Sequence, residues 1–377
     1  MTLLDEVMEG TKSRGLSSAD SAGPCPRPRV AIRATSLHTA FGDADATWGA
    51  LLAGRCVSDH ARSDAVTGPC RAARLAERVA RQAAAGGVDP EAAVVVGTSK
   101  GSVEAWLMGV VSPAGLADIT ARVADALSLR GPRLTVSAAC ASGLHALARG
   151  AMMIESGEAR QVLVVAAEAS VHPLFLGSFQ RLGVLAKPGD GCRPFDRNRT
   201  GFYMSEAAAA VLLEAEEGAA GDGADLAYVE RCALGGDATH LTGGNPELPT
   251  LRYLLRRVLD GRPVELVHAH GTGTPANDEA ELAAIEAEVA GQLPAPVLYS
   301  HKGALGHSLG AAGLLSVVLN CRAHAAGVIP PNAQTLDPLH TREVSLSRDP
   351  VRRPVRRSFA IAAGFGGATA VVALSSR

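Results

Sequence analysis

Residues 134–167 read LTVSAACASGLHALARGAMMIESGEARQVLVVAA, and this stretch decides the fold class. A short extended run at 134–137 reaches Ala138-Ala139-Cys140. Residues 141–156 are helical by composition and stop at Gly157, and residues 161–167 form an almost wholly apolar, buried strand. Strand, turn, helix and strand in this order predict an α/β protein, with Cys140 at a strand-to-helix turn. Small residues on both sides of Cys140 permit a sharp bend, and the helix start offers unpaired N–H groups and a positive dipole end that favour a thiolate. The plain alternative is a buried core cysteine.

The same rhythm runs outward in both directions. Upstream, 30–34 and 93–96 are strand-like, with helices from about 45, over 70–85 and, after a break at Ser112-Pro113, to about 129. Downstream, strands are predicted at 208–213, 226–232, 264–270, 297–300, 359–363 and 368–374, and helices at 250–259, 278–290 and 309–325. The organisation expected is a flexible extension over 1–28, one half over 29–220 that carries Cys140, and a similar half over 221–377. Residues 1–28 hold Ser17-Ser18, Gly23-Pro24 and Pro26-Arg27-Pro28, which read as a loosely docked segment.

Composition narrows the function classes. With 47% hydrophobic but only 3% aromatic residues in 377, the core must be a tightly layered one of Ala, Val and Leu, and a base-stacking surface is excluded. The formal charge of −2 offers no global basic field for nucleic acid or anionic membrane. Seven cysteines with no CxxC spacing argue against a disulfide framework and against a metal site. No apolar leader-like region opens the chain and no run of 18 apolar residues occurs, so a cytoplasmic protein is expected. Lysine occurs only at 12, 100, 187 and 302, which makes a lysine beside a suspected site worth inspection.

Three further segments carry chemistry-bearing residues. His270 lies in Val267-His268-Ala269-His270-Gly271-Thr272-Gly273-Thr274-Pro275, at the carboxyl end of a strand, where α/β sheets place ligands. His268, two residues earlier, reads as structural. In Ser300-His301-Lys302-Gly303-Ala304-Leu305-Gly306-His307, a strand again enters a glycine-rich turn, without the Gly-Lys-Ser/Thr of a phosphate loop. Between two apolar strands, Gly364-Phe365-Gly366-Gly367 leaves backbone N–H groups accessible, as half of an oxyanion hole requires.

The order Cys140, His270-Gly-Thr-Gly-Thr, Lys302 to His307, Gly-Phe-Gly-Gly resembles the elongating, Cys-His-His condensing enzymes, the β-ketoacyl-acyl carrier protein synthases of the thiolase superfamily. Arg193-Pro-Phe-Asp196, Arg199-Thr-Gly-Phe202, and Asp278 with Glu281 add to the match, which runs from about 30 to 374. The resemblance implies a thiolase-like fold, two similar βαβαβ halves in five α-β-α-β-α layers, and no cofactor. It implies Cys140 as the acylated nucleophile, and His270 and His307 as the pair holding a malonyl-type thioester. The backbone N–H groups of Cys140 and Phe365 would form the oxyanion hole, with Phe365 gating. Lys302 would be held charged by Glu281, and Thr272, Thr274, Gly364 and Gly366 would line the substrate.

Implied partners are acyl carrier protein in acyl and malonyl forms and a second, identical or related subunit. The resemblance places the strand 161–167 at or near that interface, and Arg252, Arg256, Arg257 with Arg352, Arg353, Arg356, Arg357 are candidates for a basic docking patch. The chain departs from the family pattern in a short 97–132 segment, in alanines after Ser205-Glu206, and in Ser316 where relatives carry glutamate. The rival readings are a loading acyltransferase and a non-elongating partner subunit.

Overall fold

Alternation of apolar runs with Ala-rich helices produces one topology twice. The computed structural model describes residues 28–110, 115–216, 226–243 and 245–376. The expected extension before Pro28, the junction at 220/221 and the break at Ser112-Pro113 lie outside the described residues.

The first half runs β1 (Arg29–His38), α1 (Ala44–Leu52), α2 (Arg71–Ala83), β2 (Ala93–Gly97), α3 (Val103–Leu107), α4 (Asp118–Ala126), β3 (Arg133–Val136), α5 (Ser142–Glu155), β4 (Gln161–Glu168), α6 (Pro173–Arg181) and β5 (Ala207–Glu216). The second runs β6 (Ala227–Gly236), α7 (Pro249–Leu259), β7 (Leu266–His268), α8 (Pro275–Val289), β8 (Val297–Tyr299), α9 (Lys302–Leu305), α10 (Ala312–Ala326), the small ribbon β9 (Val328–Ile329) with β10 (Val351–Arg352), then β11 (Arg357–Ala363) and β12 (Ala368–Ser375).

Strand order is β3-β2-β4-β5-β1 in one half and β8-β7-β11-β12-β6 in the other. Numbered within each half, both read 3-2-4-5-1. Antiparallel pairing of Val30–Ile32 with Ala227–Val229 joins the two into a ten-stranded sheet.

Burial sorts the helices into layers. In α2 the buried Ala72, Leu75, Ala76, Val79 and Ala83 share one stripe, as a helix on an outer face requires. By contrast 10 of the 14 residues of α5 and 11 of the 15 of α10 are buried, because both lie between the sheets. Three apolar clusters fill the resulting spaces: α2 and α4 against the first sheet, α5 and α10 between the sheets, and α7 and α8 against the second. The result is the five-layer α-β-α-β-α arrangement. The span Leu309–Ala326 is apolar and long enough to cross a membrane, yet 78% of it is buried inside the protein.

Two expectations change. The strand at 161–167 has no free edge or face to offer another subunit: β4 is hydrogen-bonded on both sides, to β2 and β5, and is buried along its length after Gln161. A wholly apolar strand signals burial on both faces of a sheet interior. The free edge of that sheet is β3, which pairs with β2 alone and is partly exposed. The second change is α6, which the sequence pattern did not suggest; Pro173 opens it and the His172 ring accepts from Leu174 N–H as its cap.

Glycine lets the central helices touch. A Cβ at Gly143 would sit 2.9 Å from Gly310 O and 3.0 Å from Leu314 N, both backbone atoms. Gly143→Val is therefore expected to lower stability by about 1–3 kcal/mol through overpacking, which outweighs the few tenths of a kcal/mol that valine gains over glycine in helix propensity. Urea unfolding followed by circular dichroism checks this; an unchanged midpoint would show that the helices can part.

Candidate active site

Cys140 sits on an elbow. Ala139 takes a left-handed φ of 47°, and the Ser142 hydroxyl clamps the bend by donating to Ala139 O at 2.6 Å and accepting from Ala138 N–H at 2.9 Å. Leu309 (φ 46°), at the entry to α10, and Phe195 (φ 58°) are left-handed as well, at about 1–2 kcal/mol each for residues with a Cβ. Strain of this kind persists only where the surroundings fix it, and all three residues border the same site. Gly310 makes the crossing possible, since a Cβ there would lie 2.8 Å from Ser99 N and 3.3 Å from Ala139 O.

Gly364 brings the second N–H donor. Its Cβ position falls 2.6 Å from Ala138 O and 3.1 Å from Cys140 N, so only glycine lets the turn between β11 and β12 lie on the elbow. Among the described residues the N–H groups of Cys140 and Phe365 donate to no other residue. Burial pushes the Cys140 thiol up to about 11, while the ammonium groups of Lys100 and Lys302 draw it down. Gly366 follows with φ 82° and open space around it, leaving the Phe365 turn unencumbered.

The loop after β7 is held by two carboxylates one helical turn apart on α8. Glu281 accepts from the N–H groups of His270 (2.6 Å) and Gly271 (2.7 Å), and Asp278 from those of Thr272 (3.0 Å), Gly273 (3.0 Å) and Phe195 (2.7 Å). Both are buried, which raises their pKa values, while these donors favour the ionised form. Thr272 and Thr274 turn their hydroxyls to each other at 2.8 Å.

Glu281 does not grip Lys302 directly. The Lys302 ammonium donates to the His270 carbonyl oxygen, and its side chain is buried. Desolvation lowers its pKa to about 8, with Glu281 opposing through its field, so the lysine is charged at neutral pH by a narrower margin than a direct ion pair would give.

His307 follows Gly306 and is pinned by main-chain bonds from its N–H to Tyr203 O (2.7 Å) and from Ser205 N–H to its carbonyl (3.0 Å). Its ring lies 5.5 Å from that of His270, centroid to centroid, at 82°. Both imidazoles are held well below their usual pKa by burial and by the Lys302 charge. Two neutral N–H donors thus face one site.

Behind this pair lies a buried chain that the sequence pattern did not single out. Asn320 Nδ2 donates to Phe359 O at 3.0 Å, so its Oδ1 accepts from His268 Nδ1–H at 2.8 Å. His268, neutral with a pKa lowered to about 3 by burial, then presents Nε2 as acceptor to His301 Nδ1–H at 2.8 Å. The His301 backbone N–H, which can only donate, points at the same Nε2 at 3.4 Å. Ser316 adds a hydroxyl 3.5 Å from His301 Nδ1. Uncharged imidazoles therefore back the site.

Aromatic rings close the site. Phe365 stacks on Phe179 (6.2 Å, 25°), Phe179 meets Phe202 edge-on (6.0 Å), and Phe202 meets His307 edge-on (4.9 Å). Cys140 belongs to the same apolar cluster. A cleft of about 630 Å³ between α5, β6 and α7, lined by Met152, Glu155, Leu234 and Tyr253, contains none of these groups. The proposed arginine patch is largely committed: Arg252 and Arg256 both bind Glu288, and Arg357 is buried against Glu230 and the Leu259 carbonyl. Spacing along a helix predicted the shared face but not the acid opposite.

Residues 85–219 match the family described as "Beta-ketoacyl synthase, N-terminal domain", and residues 226–335 the corresponding C-terminal domain. The chain is 34% identical over 272 residues to "Putative polyketide beta-ketoacyl synthase 1" of Streptomyces halstedii, covering 68% of this chain and 64% of that protein. It is 32% identical over 250 residues to "3-oxoacyl-[acyl-carrier-protein] synthase 2" of Vibrio harveyi, covering 63% and 60%. The matches thus span less than two thirds of these relatives. The solved "ishigamide ketosynthase/chain length factor" superposes with a TM-score of 0.80 at 27% identity, over 93% of this chain and 100% of that one.

A thiol raised to about 11 has a testable signature. Alkylation of Cys140 by iodoacetamide, followed by peptide mass spectrometry, is expected to rise about tenfold per pH unit between 7 and 9. A plateau reached below pH 8 would mean that the thiolate is stabilised far more than the burial of Cys140 allows.

Proposed function

The chain belongs to the β-ketoacyl synthase family, and on that premise we propose that it catalyses decarboxylative condensation between an acyl group on Cys140 and a malonyl-type carrier-protein thioester. The observation that carries this reading is the pair of neutral imidazoles, 5.5 Å apart, beside a cysteine whose turn exposes two unpaired N–H groups. Such a site has donors for oxyanions and no charged base among the groups that face it.

In the first step Cys140 Sγ attacks the acyl thioester carbonyl, and the N–H groups of Cys140 and Phe365 hold the oxyanion. The carrier thiol leaves with the proton that the Cys140 thiol gave up. In the second, the malonyl carboxylate departs as carbon dioxide and its bonding electron pair becomes an enolate. The His270 and His307 N–H groups hold the enolate oxygen. The enolate carbon then attacks the acyl-Cys140 carbonyl, and Sγ is expelled as the new carbon–carbon bond forms. Keeping both imidazoles neutral supplies hydrogen bonds without protonating the enolate, which explains the cation of Lys302 beside them. A cytoplasmic location is part of this reading.

A second subunit, identical or related, completes the proposal. The unpaired edge of β3 and the exposed Trp106, Leu107, Met108 and Val110 form the surface that suits it, since large apolar side chains gathered on one segment mark an interaction site. Light scattering should report a dimer of the purified chain, or of the chain with a related subunit, and Leu107→Asp with Met108→Asp should split it; a wild type that stays monomeric in both settings removes this part.

Cys140→Ala is expected to abolish both the acyl adduct and product. His270→Ala and His307→Ala should retain the adduct, seen by intact mass, and lose at least about 10²-fold in condensation, as loss of an oxyanion donor does. An enzyme that acylates but never extends with malonyl-carrier would instead be a loading acyltransferase or a partner subunit.

A further inference from the structure

Lys100 borders the Cys140 cluster, and among the described residues it has no counter-ion within ion-pair distance. The turn that carries it is fixed on both sides. Glu168, fully buried, accepts from Ser99 N–H, from Thr98 Oγ1 at 3.4 Å and from Ser170 Oγ at 3.1 Å, and Gly101 N–H donates to Thr98 Oγ1 at 2.9 Å. The nearby acid is thus committed to neutral donors.

The Lys100 ammonium lies 5.2 Å from the Phe175 ring centre and 5.3 Å from that of Phe179, and its one polar partner among the described residues is Ser99 Oγ at 3.3 Å. No carboxylate stands within ion-pair distance among the described residues. Phe179 stacks on Phe365, whose turn lies on Cys140, so the rings make a continuous wall between the thiol and the ammonium. After burial itself, Lys100 is the largest electrostatic influence on the Cys140 thiol, consistent with this proximity.

An alkyl tail running along that wall would strip water from the ammonium and offer nothing in return, whereas an acceptor oxygen would replace the lost hydration. We propose that Lys100 selects, for acylation of Cys140, acyl groups bearing a carboxylate or ketone oxygen along the chain over plain hydrocarbon chains of equal length. This deepens the condensing-enzyme reading and rests on it.

The test compares the rate of Cys140 acylation by the N-acetylcysteamine thioesters of hexanoate, 5-oxohexanoate and adipate, followed by intact mass. At least one oxygenated substrate should react tenfold or more faster than hexanoyl. A preference for adipoyl alone identifies charge pairing, and a preference for both identifies hydrogen bonding to any oxygen. Lys100→Met should collapse the oxygenated-to-hexanoyl ratio at least tenfold, while Lys100→Arg, which keeps the cation, should preserve it. Equal rates for the three wild-type reactions would overturn the selectivity and leave the condensing reading standing. So would an equal slowing of all three in Lys100→Met, which would assign the lysine to the thiol. Absence of any adduct would overturn both.

Discussion

The contact on which the site depends is a backbone-to-backbone crossing of the two central helices. Gly143 near the start of α5 meets Gly310 and Leu314 at the start of α10, and Gly313 lies against Leu144. No side chain fits between them. Because the two helices belong to different halves, this one crossing brings the Cys140 elbow and the His307 turn together, although they are 167 positions apart. The strained φ values of Ala139 and Leu309 on either side follow from it: the chain must turn sharply where two helices begin at the same place.

Electrostatics then follow from burial. With helix starts packed this closely, water is excluded and charges within are expensive, so the protein uses few and commits each one. Asp278 and Glu281 act on main-chain N–H groups and give the His270 loop its shape, and Lys302 holds the His270 carbonyl from the other side. The loop is held from both sides by groups of this chain alone. His268, His301 and Asn320 form a hydrogen-bonded chain whose proton positions are dictated from one end by the Phe359 carbonyl. Such a chain orders the floor of the site at no cost in buried charge.

What was legible in the sequence follows the same division. Elements whose residues bury against their neighbours in sequence were readable: β2, β4, α5, α7 and both terminal strands stand within a residue or three of the apolar pattern. The four side chains Cys140, His270, His307 and Lys302 were readable because glycines and strand ends surround them. Side-chain partnerships were not. The link of His268 to His301 spans 33 positions and that of Lys302 to His270 spans 32, and neither leaves a period in the sequence. For β4, the apolar run signalled a buried strand and the structure has one, paired on both sides; the expectation of a subunit interface came from the family resemblance and not from the run.

The aromatic residues show why composition and site are connected. A five-layer protein made largely of alanine, valine and glycine leaves little room for rings between its sheets and helices, Phe359 and Tyr299 being buried there, and among 377 residues there are only seven phenylalanines. Four of them, Phe175, Phe179, Phe202 and Phe365, border the Cys140 cluster, and a fifth, Phe195, backs the His270 loop, where a Cβ on Gly271 would approach its ring to 2.8 Å. Rings are placed where the layers end and a wall must stand without a neighbouring element to support it. Such a wall is rigid, with two rotatable bonds per side chain, and its faces accept a cation. The scarcity of aromatics elsewhere and their concentration here are thus one constraint: small residues bring the two halves into contact, and the rings line the opening which that contact leaves.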